Sequence, residues 1–308
     1  MLNELVPERV YVYQAPTNTG LIINKNEQTG IMVDSGLDDS QARKVYRQAS
    51  KELNVEVKGV LTTHAHADHC GGHHWLQKQG VQVLAPPFEK AWVRHPVLMP
   101  YGLFGGVHPP EYLRNKFVWA QSAQVDHVLE VTAEWQWEEY YGIDFQVISL
   151  PGHTEGQIGI SHGGVAFIGD ALFTPQVLEK HKHLPFNVNL EQVFNSLESV
   201  ENIHDKHIVP GHGPVLATGE ELSQAISQYR KVLSQNLEQV MDLIKKHGES
   251  MTGEEILAKI LVERGCQQLD KSLYLLFRTA VTAMLAYLED KEKIESYVCE
   301  GNLVYDSL

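Results

Sequence analysis

The stretch His64-Ala65-His66-Ala67-Asp68-His69 decides how this chain is read. Four of its six side chains are of types that ligate transition metals. Residues 57–63 precede it, an apolar and β-branched run (Val-Lys-Gly-Val-Leu-Thr-Thr) that predicts a buried strand. Gly71 and Gly72 follow, and residues 73–79 predict a helix. A strand end thus delivers four side chains into one small volume. Imidazoles with a carboxylate suit zinc, iron or manganese, whereas calcium prefers oxygen alone. An isolated histidine is ordinarily a surface or packing residue. Three histidines and an aspartate within six positions would leave desolvated polar groups needing partners, and a metal supplies them at once.

Three further places repeat the pattern. His153 lies in Ser149-Leu150-Pro151-Gly152-His153-Thr154-Glu155-Gly156, after the strand-like residues 145–150. Asp170 ends the apolar run Val165-Ala166-Phe167-Ile168-Gly169-Asp170. His212 ends His207-Ile208-Val209-Pro210-Gly211-His212. Each time an apolar run reaches a glycine and then a ligand-type side chain. Glycine lets the backbone turn sharply and approach closely whatever is bound.

This ordered set resembles the metallo-β-lactamase-fold hydrolases over roughly the first 215 residues. It is most similar to the glyoxalase II-like and lactonase-like members, which share the Thr-His-X-His-X-Asp-His opening, the Pro-Gly-His-Thr loop and the Gly-Asp-X-Leu-Phe strand end. The resemblance implies an α/β fold, a four-layer αβ/βα sandwich with a two-metal site along the sheet edges. By the same resemblance His64, His66 and His153 hold one metal, Asp68, His69 and His212 the other, and Asp170 bridges them. It also implies that Asp34, in Asp34-Ser35-Gly36, supports the site from behind the ligands. Two divalent ions are implied, zinc foremost, with iron or manganese as alternatives. Diiron flavoprotein relatives carry Glu at the position of His66, and true β-lactamases usually carry Cys at that of Asp170. Both departures disfavour those chemistries here.

Hydrolysis explains why two metals are useful. A bound divalent ion lowers the pKa of water to roughly 7, and a second can hold the substrate oxygen. The expected reaction is hydrolysis of a small ester, thioester or lactone. Asp68 is the expected catalytic carboxylate, orienting the hydroxide and accepting or relaying a proton. No separate general acid is visible. Tyr101, Tyr112, His181 and His183 are candidates for leaving-group or substrate contacts, each with a packing or surface role as the simpler reading.

Bulk properties agree. The 308 residues suit one large domain and one small one, or two of moderate size. The start Met1-Leu2-Asn3-Glu4 has no basic segment leading to an apolar core, and the three cysteines are scattered, so a cytoplasmic chain with free thiols is expected. No apolar run is long enough for a membrane span. The net charge of −14 repels a phosphate backbone, so a small-molecule substrate is favoured over nucleic acid.

Along the chain, residues 10–13, 20–24 and 30–34 predict a strand meander, and Asp38-Asp39-Ser40 caps a helix running to about residue 53. Residues 81–85 predict a strand. Residues 88–128, rich in Pro, Gly and aromatics, form an insertion with two readings: a lid over an apolar pocket, or a segment packed on the body and making a homodimer contact. After Asp170, residues 174–186 lack the Gly/Cys-rich, Arg-containing loop with which glyoxalase II helps bind glutathione. Residues 187–200 predict an amphipathic helix. A boundary near residues 217–219 divides an expected domain 1–218 from an expected domain 219–308. The latter predicts helices over 220–247, 252–264 and 269–288, then a hairpin within 294–305. That order resembles a winged helix. Its excess of acidic residues and apolar third helix favour a structural cap or oligomer surface. The competing reading is a nuclease using the same site with the winged helix as its binding module.

Overall fold

The structure is a computed structural model describing residues 1–248, 250–266 and 268–308. Seven strands form the first sheet in chain order: β1 (Leu2–Val6), β2 (Val10–Tyr13), β3 (Thr19–Asn24), β4 (Thr29–Val33), β5 (Glu56–Leu61), β6 (Gln82–Ala85) and β7 (His127–Val128). The first four pair antiparallel through short turns. From β4 onward the pairing is parallel, and each parallel step needs a crossover. The crossovers are α1 (Asp39–Lys51), then α2 (Ala67–Cys70) with α3 (His73–Lys78), then α4 (Pro87–Arg94) with α5 (Leu98–Leu103) and a 3₁₀ turn at Glu111–Leu113.

The second sheet holds β8 (Trp135–Tyr140), β9 (Ile143–Ser149), β10 (Ile158–His162), β11 (Val165–Gly169), β12 (His207–Pro210) and β13 (Leu216–Ala217), in the spatial order β13-β12-β11-β10-β9-β8. Helices α6 (Pro175–Lys180) and α7 (Leu190–Glu201) lie in the crossover between the parallel strands β11 and β12. The chain ends with α8 (Glu220–His247), β14 (Met251–Thr252), α9 (Gly253–Glu263), α10 (Lys271–Asp290) and a hairpin of β15 (Ile294–Cys299) and β16 (Asn302–Ser307), with β14 added beside β16. No described helix is long and apolar enough to cross a membrane.

Strand alternation explains the layering. Successive side chains of a strand face opposite sides. In β3, Leu21 and Ile23 pack outward with Ala42, Val45 and Ala49 of α1, while Ile22 packs inward against the second sheet. In β11, Phe167 faces that inner core, and Ala166 and Ile168 face outward to Val193, Leu197 and Val200 of α7. The central strands of both sheets are buried on both faces, and the result is the expected four-layer αβ/βα sandwich.

Several expectations needed adjustment. The strand predicted over 57–63 ends at Leu61, and Thr63 turns its N–H and hydroxyl onto the Asp34 carboxylate. Helix α7 starts at Leu190, where the Asn189 side chain accepts the Gln192 N–H. Strand β8 was not anticipated: Trp-Gln-Trp-Glu-Glu-Tyr is a half-exposed edge with little apolar signal. The insertion is packed. Its Leu103, Leu113 and Val118 form a small core with Leu275 of α10, and Arg278 donates to the Leu103 carbonyl at 2.6 Å. The outer core of the second sheet runs without a break into α8, α9 and α10.

Candidate metal centre

The four ligand-bearing loops lie at one edge of the sandwich. The turn after β5 carries His64 to His69, and the β9–β10 connection carries His153. Asp170 follows β11 directly, and His212 follows β12. All seven predicted side chains converge. His64, His66 and His153 form one group, Asp68, His69 and His212 another, and His64, His69 and Asp170 a third, with the ligand atoms of each group within 4.8 Å of one another. Asp170 Oδ2 lies 3.4 Å from both His153 Nε2 and His212 Nε2. His212 Nε2 is also 3.2 Å from Asp68 Oδ2.

Ring orientation is set from outside the cluster. The Asp34 carboxylate accepts from Thr63 N (2.8 Å) and Thr63 Oγ1 (2.7 Å) and lies 2.8 Å from His69 Nδ1. With Nδ1–H donating to Asp34, the lone pair of His69 is on Nε2, which faces the centre. His153 Nδ1 is 2.9 Å from the Phe186 carbonyl and His212 Nδ1 is 2.5 Å from that of Pro16, which fixes the same tautomer in both. The buried atoms His64 Nε2, His69 Nε2 and Asp170 Oδ1 have no hydrogen-bond partner among the described residues. Orphaned lone pairs of this kind are costly unless something electropositive meets them. Imidazole nitrogens and carboxylates are the donor set of zinc, iron or manganese, so the residues present fit divalent metal ions.

The charges say the same. Burial pulls the His66 imidazole down to about 3, leaving it a neutral donor. Burial also opposes charge on His69, yet Asp170 and Asp34 outweigh it and push this imidazole up to about 10. His212 is raised well above its usual range despite burial, by Asp170 and Asp68. Asp170 is held well below the usual carboxylate range against its burial, chiefly by His212 and His69. The buried carboxylates thus call for positive charge here, which protons on His69 and His212 meet without a metal. A bound cation would meet it in their place, leaving Nε2 of both rings free to donate its lone pair.

A cleft of about 670 Å³ opens onto this centre, with Asp68 and His212 in its lining. Apolar walls come from Leu37, Phe117 and Val177, and Lys44, Lys180 and His181 also line it. Of the four residues considered for substrate contacts, His181 alone lines this cleft. It stacks on Phe173, their ring centroids 6.1 Å apart. Tyr101 sits beside His108, Tyr112 lies under the Lys271 ammonium, and His183 faces a different cavity beside α8.

Some contributors carry no sequence signal. Glu89 of α4 is a buried carboxylate bonded to both the His64–His66 and the His153 loops. Asn18 ties the β2–β3 loop to the carbonyls of Pro210 and Gly213. Gln157 Oε1 accepts the Asp170 N–H at 3.0 Å. Each is an ordinary polar residue, and only its position after folding gives it a task.

A model of the Metallo-beta-lactamase superfamily matches residues 12–212, the span that holds most of both sheets and all seven side chains of the centre. The chain belongs to the metallo-β-lactamase superfamily. It is 26% identical over 204 residues to the hydroxyacylglutathione hydrolase GloC of Haemophilus influenzae, covering 65% of this chain and 87% of that protein. It is 25% identical over 232 residues to a hydroxyacylglutathione hydrolase of Aliivibrio fischeri, covering 74% of each. Among solved structures, a metallo-beta-lactamase family protein of Thermus thermophilus superposes with a TM-score of 0.74 at 19% identity, covering 99% of this chain and 100% of that one. A beta-lactamase domain protein of Burkholderia ambifaria gives 0.75 at 19% identity, covering 100% and 93%. The likeness extends over the C-terminal helices, so this superfamily member shares its whole-chain fold with both.

Proposed function

We propose that this chain is a metal-dependent hydrolase of a small thioester, ester or lactone. The observation that carries the reading is the convergence of seven ligand-type side chains, three of them with orphaned buried atoms, beside an open cleft. His64, His66 and His153 would hold one divalent ion and Asp68, His69 and His212 a second, with Asp170 shared; zinc is the first choice. Bound ions supply an activated water and polarise the scissile carbonyl. The relatives named hydroxyacylglutathione hydrolase favour a thioester among the three classes.

The chain's own groups have definite tasks. Asp68 faces the cleft, one third of its side chain is exposed, and Thr17 Oγ1 donates to it at 3.3 Å. It can orient water and accept a proton. Burial lowers the His181 imidazole and favours its neutral form, whose N–H can donate a hydrogen bond to a leaving group. Leu37, Phe117 and Val177 give an acyl chain an apolar wall. The free thiols Cys70, Cys266 and Cys299 agree with a cytoplasmic chain. The C-terminal order of helix, strand, two helices and hairpin supports a winged-helix reading, serving here as a cap on the second sheet.

Metal analysis of His66→Ala and Asp170→Ala, together with assays on thioesters, p-nitrophenyl esters and lactones, tests this proposal. Both variants should lose bound metal and at least about a hundredfold in rate while remaining folded. Full activity in either refutes the assignment. Strong heparin retention at low salt with cleavage of bis-p-nitrophenyl phosphate, and no esterase or thioesterase activity, would establish the nuclease reading instead.

A further inference from the structure

We propose that Glu89 is a positioning residue for the half of the centre built from His64, His66 and His153, and that through it the inserted helix α4 is part of the metal site. The residue is 2% exposed. Its two carboxylate oxygens are divided between two loops. Oε2 accepts the Ala65 N–H at 2.7 Å, the peptide between His64 and His66. Oε1 accepts the Thr154 hydroxyl at 2.7 Å and the Gly156 N–H at 3.1 Å, immediately after His153. The three imidazoles of this half thus hang from two loops that one carboxylate ties together.

Two details show that the tie is built in. Gly156 leaves room for it: a Cβ there would lie 2.7 Å from Phe88 Cβ and 3.0 Å from Glu89 Oε1. The three groups meeting Glu89 are all donors, so a charged or neutral carboxyl can serve them but an amide cannot serve them all. The other half has its own tie, Asp34, which bonds Thr63 and His69. Glu89 makes no hydrogen bond to Asp68, His69 or His212. Asp68 and His69 follow Ala65 on the same turn, but Asp34 holds that turn through Thr63 and His69. Removing Glu89 should therefore loosen one half and spare the other, which a residue serving only to fold α4 would not do.

The inference rests on the two-metal reading, and the experiment separates the two. Zinc affinity of the full chain is measured by chelator competition in two backgrounds: His212→Ala, which leaves the first half to bind, and His153→Ala, which leaves the second. Glu89→Gln is added to each. In the His212→Ala background zinc binding should weaken about 10- to 100-fold, the usual effect of losing a group that orients ligands. In the His153→Ala background it should be unchanged. Thr154→Val, which removes one of the three bonds and keeps the carboxylate, should weaken the same half by less, and it carries the test should Glu89→Gln not fold. Equal weakening in both backgrounds, or none in the first, overturns the inference while leaving the metal site standing. Failure of the unsubstituted chain to bind zinc overturns the metal-site reading itself.

Discussion

At the scale of single residues, the centre depends on groups that have no ligand atom of their own. Gly211 is the clearest case. A Cβ there would lie 2.1 Å from Asp170 Oδ1 and 2.6 Å from His69 Cε1, so no side chain fits without moving the Asp170 carboxylate. Its backbone is also committed, the N–H to the Gly169 carbonyl at 2.6 Å and the carbonyl to the Asn18 N–H at 2.7 Å. Gly211→Ala should leave the sandwich folded but weaken zinc binding by about tenfold or more, read by chelator competition beside a thermal melt. An unchanged affinity would mean that the loop relaxes freely.

At the scale of elements, helix α1 borders the cleft and its first turn is fixed by Asp38. The Asp38 carboxylate accepts from Ser40 N at 3.0 Å and Gln41 N at 3.3 Å, and pairs with Lys116 at 2.9 Å, joining the insertion to the helix. Asp38→Ala should cost about 1 kcal/mol in urea unfolding. The hydrogen bond from the Lys116 ammonium holds this carboxyl below its ordinary value of 3.8. A depressed folded-state pKa gives stability that is fully present above the unfolded value and is lost as pH falls through the folded one. Asp38→Asn keeps a good cap and loses the charge. Its deficit relative to the parent chain should therefore be small at neutral pH, shrink below about pH 4, and shrink also in high salt, because the pair is exposed.

At the scale of the whole molecule, the C-terminal elements complete the body. Leu222, Ile226, Tyr229 and Leu233 of α8 share one core with Leu172, Leu178 and Leu197, and the Asn187 amide donates to the Tyr229 hydroxyl at 3.0 Å. Helix α10 is joined to the insertion through Leu275 and Arg278. A chain ending at Ala217 would expose that apolar face, and we expect it to aggregate or to lose its cooperative melt by circular dichroism. The full chain should unfold in a single transition. Two well-separated transitions would instead show that residues 219–308 form an independent unit.

The sequence by itself determined the local features: which residues are ligand types, which runs alternate as strands, and where caps and glycines end them. His64-Ala65-His66-Ala67-Asp68-His69 and the Pro-Gly-His and Gly-Asp strand ends are short motifs, legible without any partner. Tertiary structure decided what those motifs meet. Glu89 is unremarkable in its helix until that helix docks between two loops, one 24 residues before it and one 65 residues after it. The same is true of Leu275 against the insertion. Periodicity and capping are properties of neighbours along the chain. The choice of distant partner is made by the packing of buried faces, and that is settled only when the whole sandwich closes.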